Sequence, residues 1–236
     1  MVIMTKLFSI FYNNGLIKLQ SVKILLHLTC LVLLMVGCER NKPQQESIVS
    51  SNVSESNPIE QIQETVPPIV AAARSQIGKT ITYDPAYTSL SYPGGDVPIE
   101  KGVCTDVVIR ALRDALNMDL QKLVHEDMSI AFSKYPDIWG LKKPDPNIDH
   151  RRVLNLMTYF TRQGYSLKVT QDKKNYLAGD LVTCSVQNRP HIIIVSNRKG
   201  PDGTPFVIHN IGRGTQEENR LFEFPLTGHY RINSFN

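Results

Sequence analysis

Apolar positions along this chain change rhythm three times. From Ile24 to Val36 they form a near-continuous run, broken only by His27 and Thr29. From Asn41 to about Val66 they are isolated among Ser, Gln, Glu, Asn and Pro, with no period. Beyond Pro67-Pro68 a helical spacing sets in, with apolar residues recurring three and four positions apart. That spacing predicts a helix over Ile69 to Ile77, ended by Gly78. It predicts a second over Val103 to Leu116, where Cys104, Val107, Val108, Ala111, Leu112 and Ala115 share one stripe opposite Arg110, Arg113 and Asp114. A third helix is expected to start at Asp149, as N-cap, and to run through Val153, Leu154, Met157 and Phe160 to Gly164. Thr80 to Lys101 and the stretch around Tyr135-Pro136 and Trp139-Gly140 carry no period and are expected to be loops. In the last third the period becomes two or the run becomes β-branched. This gives strands over Asp180 to Val186, His191 to Ser196, Phe206 to Ile211 and about His229 to Ile232. Gly200-Pro201 and Asp202-Gly203 mark a turn between two of them. Helices first and an antiparallel meander after is an α+β order.

The early apolar run follows Lys18 and Lys23 and is too short to span a bilayer comfortably. Its length and flanks are those of a signal-peptide core. It ends in Met35-Val36-Gly37-Cys38, which resembles a bacterial lipobox, with Met35 where leucine is usual. The resemblance implies acylation of Cys38. With Glu39 next, it implies an outer-membrane lipoprotein facing the periplasm. The expected organisation is a leader over 1–38, a disordered tether over 39–66 and one domain over 67–236. That leaves roughly 170 residues, enough for a real core. The net charge of +4 is modest and spread out, without a basic stripe interleaved with aromatics, so nucleic acid is not an expected partner. Once Cys30 leaves with the leader and Cys38 takes lipid, Cys104 and Cys184 remain. In an oxidising compartment a disulfide between them is one expectation.

The other expectation for Cys104 is chemical. It stands at the first turn of the clearest helix, after Gly102-Val103. Unpaired amides and the positive end of the helix dipole favour a thiolate there and suit an oxyanion. Gly102 would let a substrate approach the backbone. His191 opens the most β-rich strand and is a candidate general base. His209 and Asn210 lie one strand on. Strand alternation allows only one of them to share a face with His191 and orient it, and the register needed to choose is not legible. Asp149-His150-Arg151-Arg152 could line a cleft and bind a substrate carboxylate. Cys184 is most simply a small buried hydrophobe. His125-Glu126-Asp127 is only a loose metal-like cluster. No His-Glu-x-x-His and no paired Cys-x-x-Cys occurs, so neither metal nor cofactor is expected.

Tyr92-Pro93-Gly94-Gly95, Cys104-Thr105-Asp106, Gly179-Asp180-Leu181-Val182, His191-Ile192-Ile193-Ile194-Val195 and Val207-Ile208-His209 occur in the order found in NlpC-like peptidases of the papain-like superfamily. That resemblance implies a papain-like fold and hydrolysis of amide bonds in peptidoglycan peptides. It implies Cys104 as nucleophile, His191 as base, His209 as orienter and Tyr92 as an oxyanion-side hydroxyl. Asp106, His150, Arg151 and Asn210 are the candidate substrate contacts. The chain departs from that pattern in carrying its acid after the cysteine, at Asp106. A second resemblance is to an uncharacterised family of secreted bacterial proteins, a domain of unknown function. It rests on Gly102-Val103-Cys104-Thr105-Asp106-Val107-Val108, Asp149-His150-Arg151-Arg152-Val153, His209-Asn210-Ile211-Gly212 and Gly228-His229-Tyr230. Besides hydrolysis, two other functions fit the same residues: acyl transfer at Cys104, and non-catalytic binding of peptidoglycan or a partner protein.

Overall fold

The computed structural model describes residues 65–232, so the expected leader, Cys38 and most of the expected tether lie outside the described residues. In chain order the elements are α1 (Pro68–Arg74), β1 (Thr82–Tyr83), β2 (Lys101–Gly102), α2 (Cys104–Leu116), α3 (Leu120–Ala131), α4 (Val153–Arg162), β3 (Ser166–Leu167), β4 (Leu181–Val186), β5 (Arg189–Lys199), β6 (Pro205–His209), β7 (Gln216–Glu218) and β8 (Leu226–Tyr230). The result is α+β. Six strands form one antiparallel sheet in the order β3-β8-β4-β5-β6-β7, and β1 and β2 form a separate parallel pair. No helix among the described residues is long and apolar enough to cross a membrane.

The β4–β5 hairpin fixes the register that matters most. Its two-residue turn, Gln187-Asn188, has φ of 48° and 62°, the twist that matches two antiparallel strands. Val186 then pairs with Arg189, and Cys184 falls opposite His191. One face of the sheet packs Leu181, Ile192, Ile194 and Ile208 against helix residues such as Val70, Val107, Leu112 and Phe160. The other face buries Val182, Ile193, Val195 and Val207 under Tyr176 and Leu221. Burial on both faces is why Ile192 to Val195 shows no apolar-polar alternation.

Two parts of the helical layer differ from the sequence expectation. The helix α3 occupies a stretch with no assigned element. It is capped by Asp119, whose side chain accepts from the Gln121 amide at 3.2 Å, and it buries Leu120, Val124 and Met128 at four-residue intervals. At the third expected helix, Asp149 is not the N-cap. It starts a 3₁₀ turn over Asp149–Arg151, its carboxylate meets Arg152 at 3.2 Å, and α4 begins only at Val153.

Candidate functional site

Cys104 is the first residue of α2, following Val103 in extended backbone. Valine has no side-chain acceptor for the open amides of a helix start. The Asp106 carboxylate serves the N-cap instead, accepting the Val103 amide at 2.7 Å. Asp106 is buried, and Arg151 grips it with Nε and Nη2, both at 2.9 Å. The same guanidinium donates to the carbonyls of Ala86 and Asp84. Arg110, from the polar side of the predicted stripe, is also buried. It holds Asp96, the Thr80 hydroxyl and the carbonyls of Val97 and Lys101. Asn210 donates from Nδ2 to the Gly102 carbonyl at 3.0 Å and accepts the Gly212 amide. A Cβ on Gly102 would stand 3.1 Å from the Asp106 Cβ and 3.3 Å from Arg110 Nη1. Glycine at 102 therefore makes room for this frame.

These contacts reassign several expected substrate residues. Asp106, Arg151 and Asn210 spend their hydrogen bonds on holding the helix tip and its approach loop. His150 is buried, with Nδ1 unpartnered, and burial presses its pKa down to about 4. It does not line the hollow over Cys104. Tyr92 is 43% exposed and sets its ring edge-on to His125 of α3, 5.1 Å between centroids. The tyrosine beside the sulfur is Tyr83, which pairs with Gly102 across the parallel β1–β2 contact. Burial, then the nearby charge of a Cys104 thiolate, pushes its hydroxyl up to about 12. The short β-rich run Ile81-Thr82-Tyr83 was the sequence signal for it.

Two hollows flank a shared wall of Tyr83 and Pro190. The first, about 300 Å³, is lined by Cys104, Trp139 and Arg152 among others. The second, about 240 Å³, is lined by His191, Arg189 and Gly212 among others. Cys104 belongs to the helix-side core with Ile192, and the Ile192 amide lies against its sulfur. His191, one residue earlier, follows the opposite parity on β5. Its ring meets His209 edge-on at 5.9 Å. His209 Nε2 stands 3.2 Å from Glu218 Oε2, off the line of a well-aligned hydrogen bond. His191 Nε2 and both nitrogens of His209 are buried without a hydrogen-bond partner. The structure thus brings His209, not Asn210, to the His191 ring, and the sulfur to the peptide joining His191 and Ile192. No hydrogen bond links that sulfur to an imidazole among the described residues.

The Cys104 thiol and the His191 imidazole both rest neutral near pH 7. Burial drives the Cys104 thiol from 9.0 up to about 12, contrary to the thiolate expected at a helix tip. The reason is one of size. A helix end favours a charge by about 0.3–1 kcal/mol, whereas a rise from 9.0 to about 12 corresponds to about 4 kcal/mol. Burial, helped by the charges of His209 and Arg220, presses His191 down to about 3, and burial takes His209 to about 4. Cys184 is buried, and both it and Cys104 are free thiols, with no disulfide between them. Among the described residues no group of three or more His, Cys, Asp or Glu is arranged to hold a metal ion.

A known protein is similar to this chain over most of the domain. "Uncharacterized protein YijF" of Escherichia coli (strain K12) is 56% identical over 164 residues, which cover 69% of this chain and 80% of that protein. The family model described as "Domain of unknown function (DUF1287)" matches residues 70–232, from α1 to the end of the described sheet. The chain therefore belongs to the DUF1287 family.

Proposed function

We propose that this domain is a cysteine-dependent amide hydrolase of papain-like, NlpC-like architecture, acting on peptidoglycan peptides as a periplasmic outer-membrane lipoprotein anchored at Cys38. One observation carries the reading: the first residue of α2 is a thiol at the foot of a hollow, packed against the peptide that follows His191. In this mechanism His191 takes the Cys104 proton as the substrate binds. The sulfur then attacks the amide carbonyl carbon. The C–N bond breaks, and His191 returns the proton to the departing amine. Water adds to the thioester, releasing a carboxylic acid and restoring the thiol. The amides at the start of α2 and the Tyr83 hydroxyl are the oxyanion donors. His209, backed by Glu218, orients the His191 ring.

The test is digestion of peptidoglycan by wild-type and Cys104→Ala protein, with products read by mass spectrometry. New amide-cleavage products from the wild type alone support the mechanism. Equal product from both removes Cys104 as nucleophile. A second reading, non-catalytic binding of peptidoglycan or a partner, is favoured by the neutral pair, with the thiol near 12 and the imidazole near 3. It predicts peptidoglycan pull-down that survives Cys104→Ala, with no turnover by either protein.

A further inference from the structure

The hollow over Cys104 is lined by cations whose paired carboxylates, Asp106 and Asp149, lie behind the wall. Its lining carries two arginines and no carboxylate, and the rest is largely apolar. The two arginines are not equivalent. Arg151 has turned inward and is tied to Asp106 and two carbonyls. Arg152 has a single hydrogen bond, from Nη1 to Asp149 at 3.2 Å. Its Nε and Nη2 donors have no acceptor among the described residues. Its guanidinium lies 4.2 Å from the centre of the Trp139 ring, which holds the fork in place by cation–π attraction, and its side chain is only 17% exposed. A guanidinium that is half-desolvated, pinned and short of acceptors is a receptor for a planar anion. A second feature points the same way. The helix α4 starts at this hollow with Arg152 as N-cap and has no side-chain cap, so its open amides add positive potential beside Val153 and Leu154.

The geometry points to Arg152 and Trp139 as a carboxylate-recognition subsite, so that the hollow over Cys104 takes a substrate portion with an apolar body and a free carboxylate. This names the substrate class for the site proposed above and rests on that reading for its link to catalysis. The binding event stands independently of it. Asp149 contributes by holding one arm of Arg152 and leaving the other arm open. The apolar wall excludes water from the ion pair, which strengthens it.

Trp139 is the one tryptophan of the chain, so its emission reports occupancy directly. The experiment titrates the full chain carrying Cys104→Ala, which cannot turn over, with N-acetyl-leucine and separately with N-acetyl-leucine amide. The expected result is a saturable change in Trp139 fluorescence with the acid, with affinity about tenfold or more above that for the amide, as for a charge-assisted hydrogen bond. Arg152→Gln should remove that preference, and Arg152→Lys should keep part of it, since lysine retains the charge without the fork. Equal binding of acid and amide, or no binding of either, overturns the subsite. So does an undiminished acid preference in a folded Arg152→Gln protein. If the Gln variant does not fold, the acid-amide comparison in the parent decides alone. A positive titration beside a failed peptidoglycan digestion would separate recognition from catalysis.

Discussion

Two buried polar networks meet at Cys104, and they are finished to different degrees. On the helix side Asp106, Arg151, Arg110 and Asn210 donate or accept at nearly every available position. On the sheet side His191 and His209 bury ring nitrogens that have no hydrogen-bond partner among the described residues. Buried polar groups are ordinarily satisfied, and each exception calls for an explanation. The saturated network is a brace that sets where the sulfur sits. The unsatisfied one leaves ring nitrogens of His191 and His209 with unspent hydrogen-bonding capacity. On the proposed mechanism, that difference separates residues that build the site from residues available for chemistry, a distinction that residue type alone does not make.

The contrast can be tested in order of expected effect. Disabling the brace should cost most. Arg151→Ala strands the Asp106 carboxylate in the interior, and loss of one partner of a buried pair costs about 3–5 kcal/mol, read as a lower urea midpoint at unchanged slope. A change under about 1 kcal/mol would mean that the brace carries no weight. Next comes the sulfur. With the thiol held near 12 instead of 9.0, iodoacetamide labelling of Cys104 at pH 8 should run about a thousandfold slower than for a free thiol, because only the thiolate reacts. Labelling measured by mass spectrometry should accelerate on unfolding. Fast labelling of the folded protein would instead show an ionised pair.

Acid is the third probe. His150, His191 and His209 titrate at about 4, 3 and 4 in the fold against 6.5 when free. Below 6.5 the unfolded chain binds protons that the folded chain refuses. Stability is therefore full above pH 6.5 and falls as pH drops toward 3–4, by on the order of 3 kcal/mol per histidine. Thermal melts between pH 8 and 4 measure this. The smallest effect should come from the unfinished side. His191→Gln breaks no hydrogen bond, so at pH 8 it should shift stability by under about 1 kcal/mol while flattening the acid limb. A large loss at pH 8 would move His191 from the chemical side of the comparison to the structural one.

The sequence made visible what depends on short-range period. The stripe from Cys104 to Ala115, the β4–β5 pair and β6 were legible because their apolar spacing repeats within a few residues. The helix α3 went unread although Asp119 before Leu120, Val124 and Met128 carried its signal, because the irregular residues after it masked the period. What could not be read were pairings between distant segments. Asp106 and Arg151 read as separate substrate contacts until the fold closes a loop of 45 residues between them. Tyr83 reaches the cysteine only through a two-residue parallel pairing with Gly102, whereas Tyr92, nearer in sequence, goes to His125. The choice between His209 and Asn210 rested on a hairpin register that is a tertiary outcome. The protonation of Cys104 was misjudged because helix position is visible in sequence and depth of burial is not.

The sheet ends in very short strands on both sides, two residues at β3 and three at β7, the latter Gln216, Glu217 and Glu218. Such margins, one of them studded with charge, give an incoming extended chain almost no backbone ladder to join. The same blunt margins disfavour edge-to-edge pairing between copies of this sheet, a route to aggregation that a longer, flatter edge would leave open.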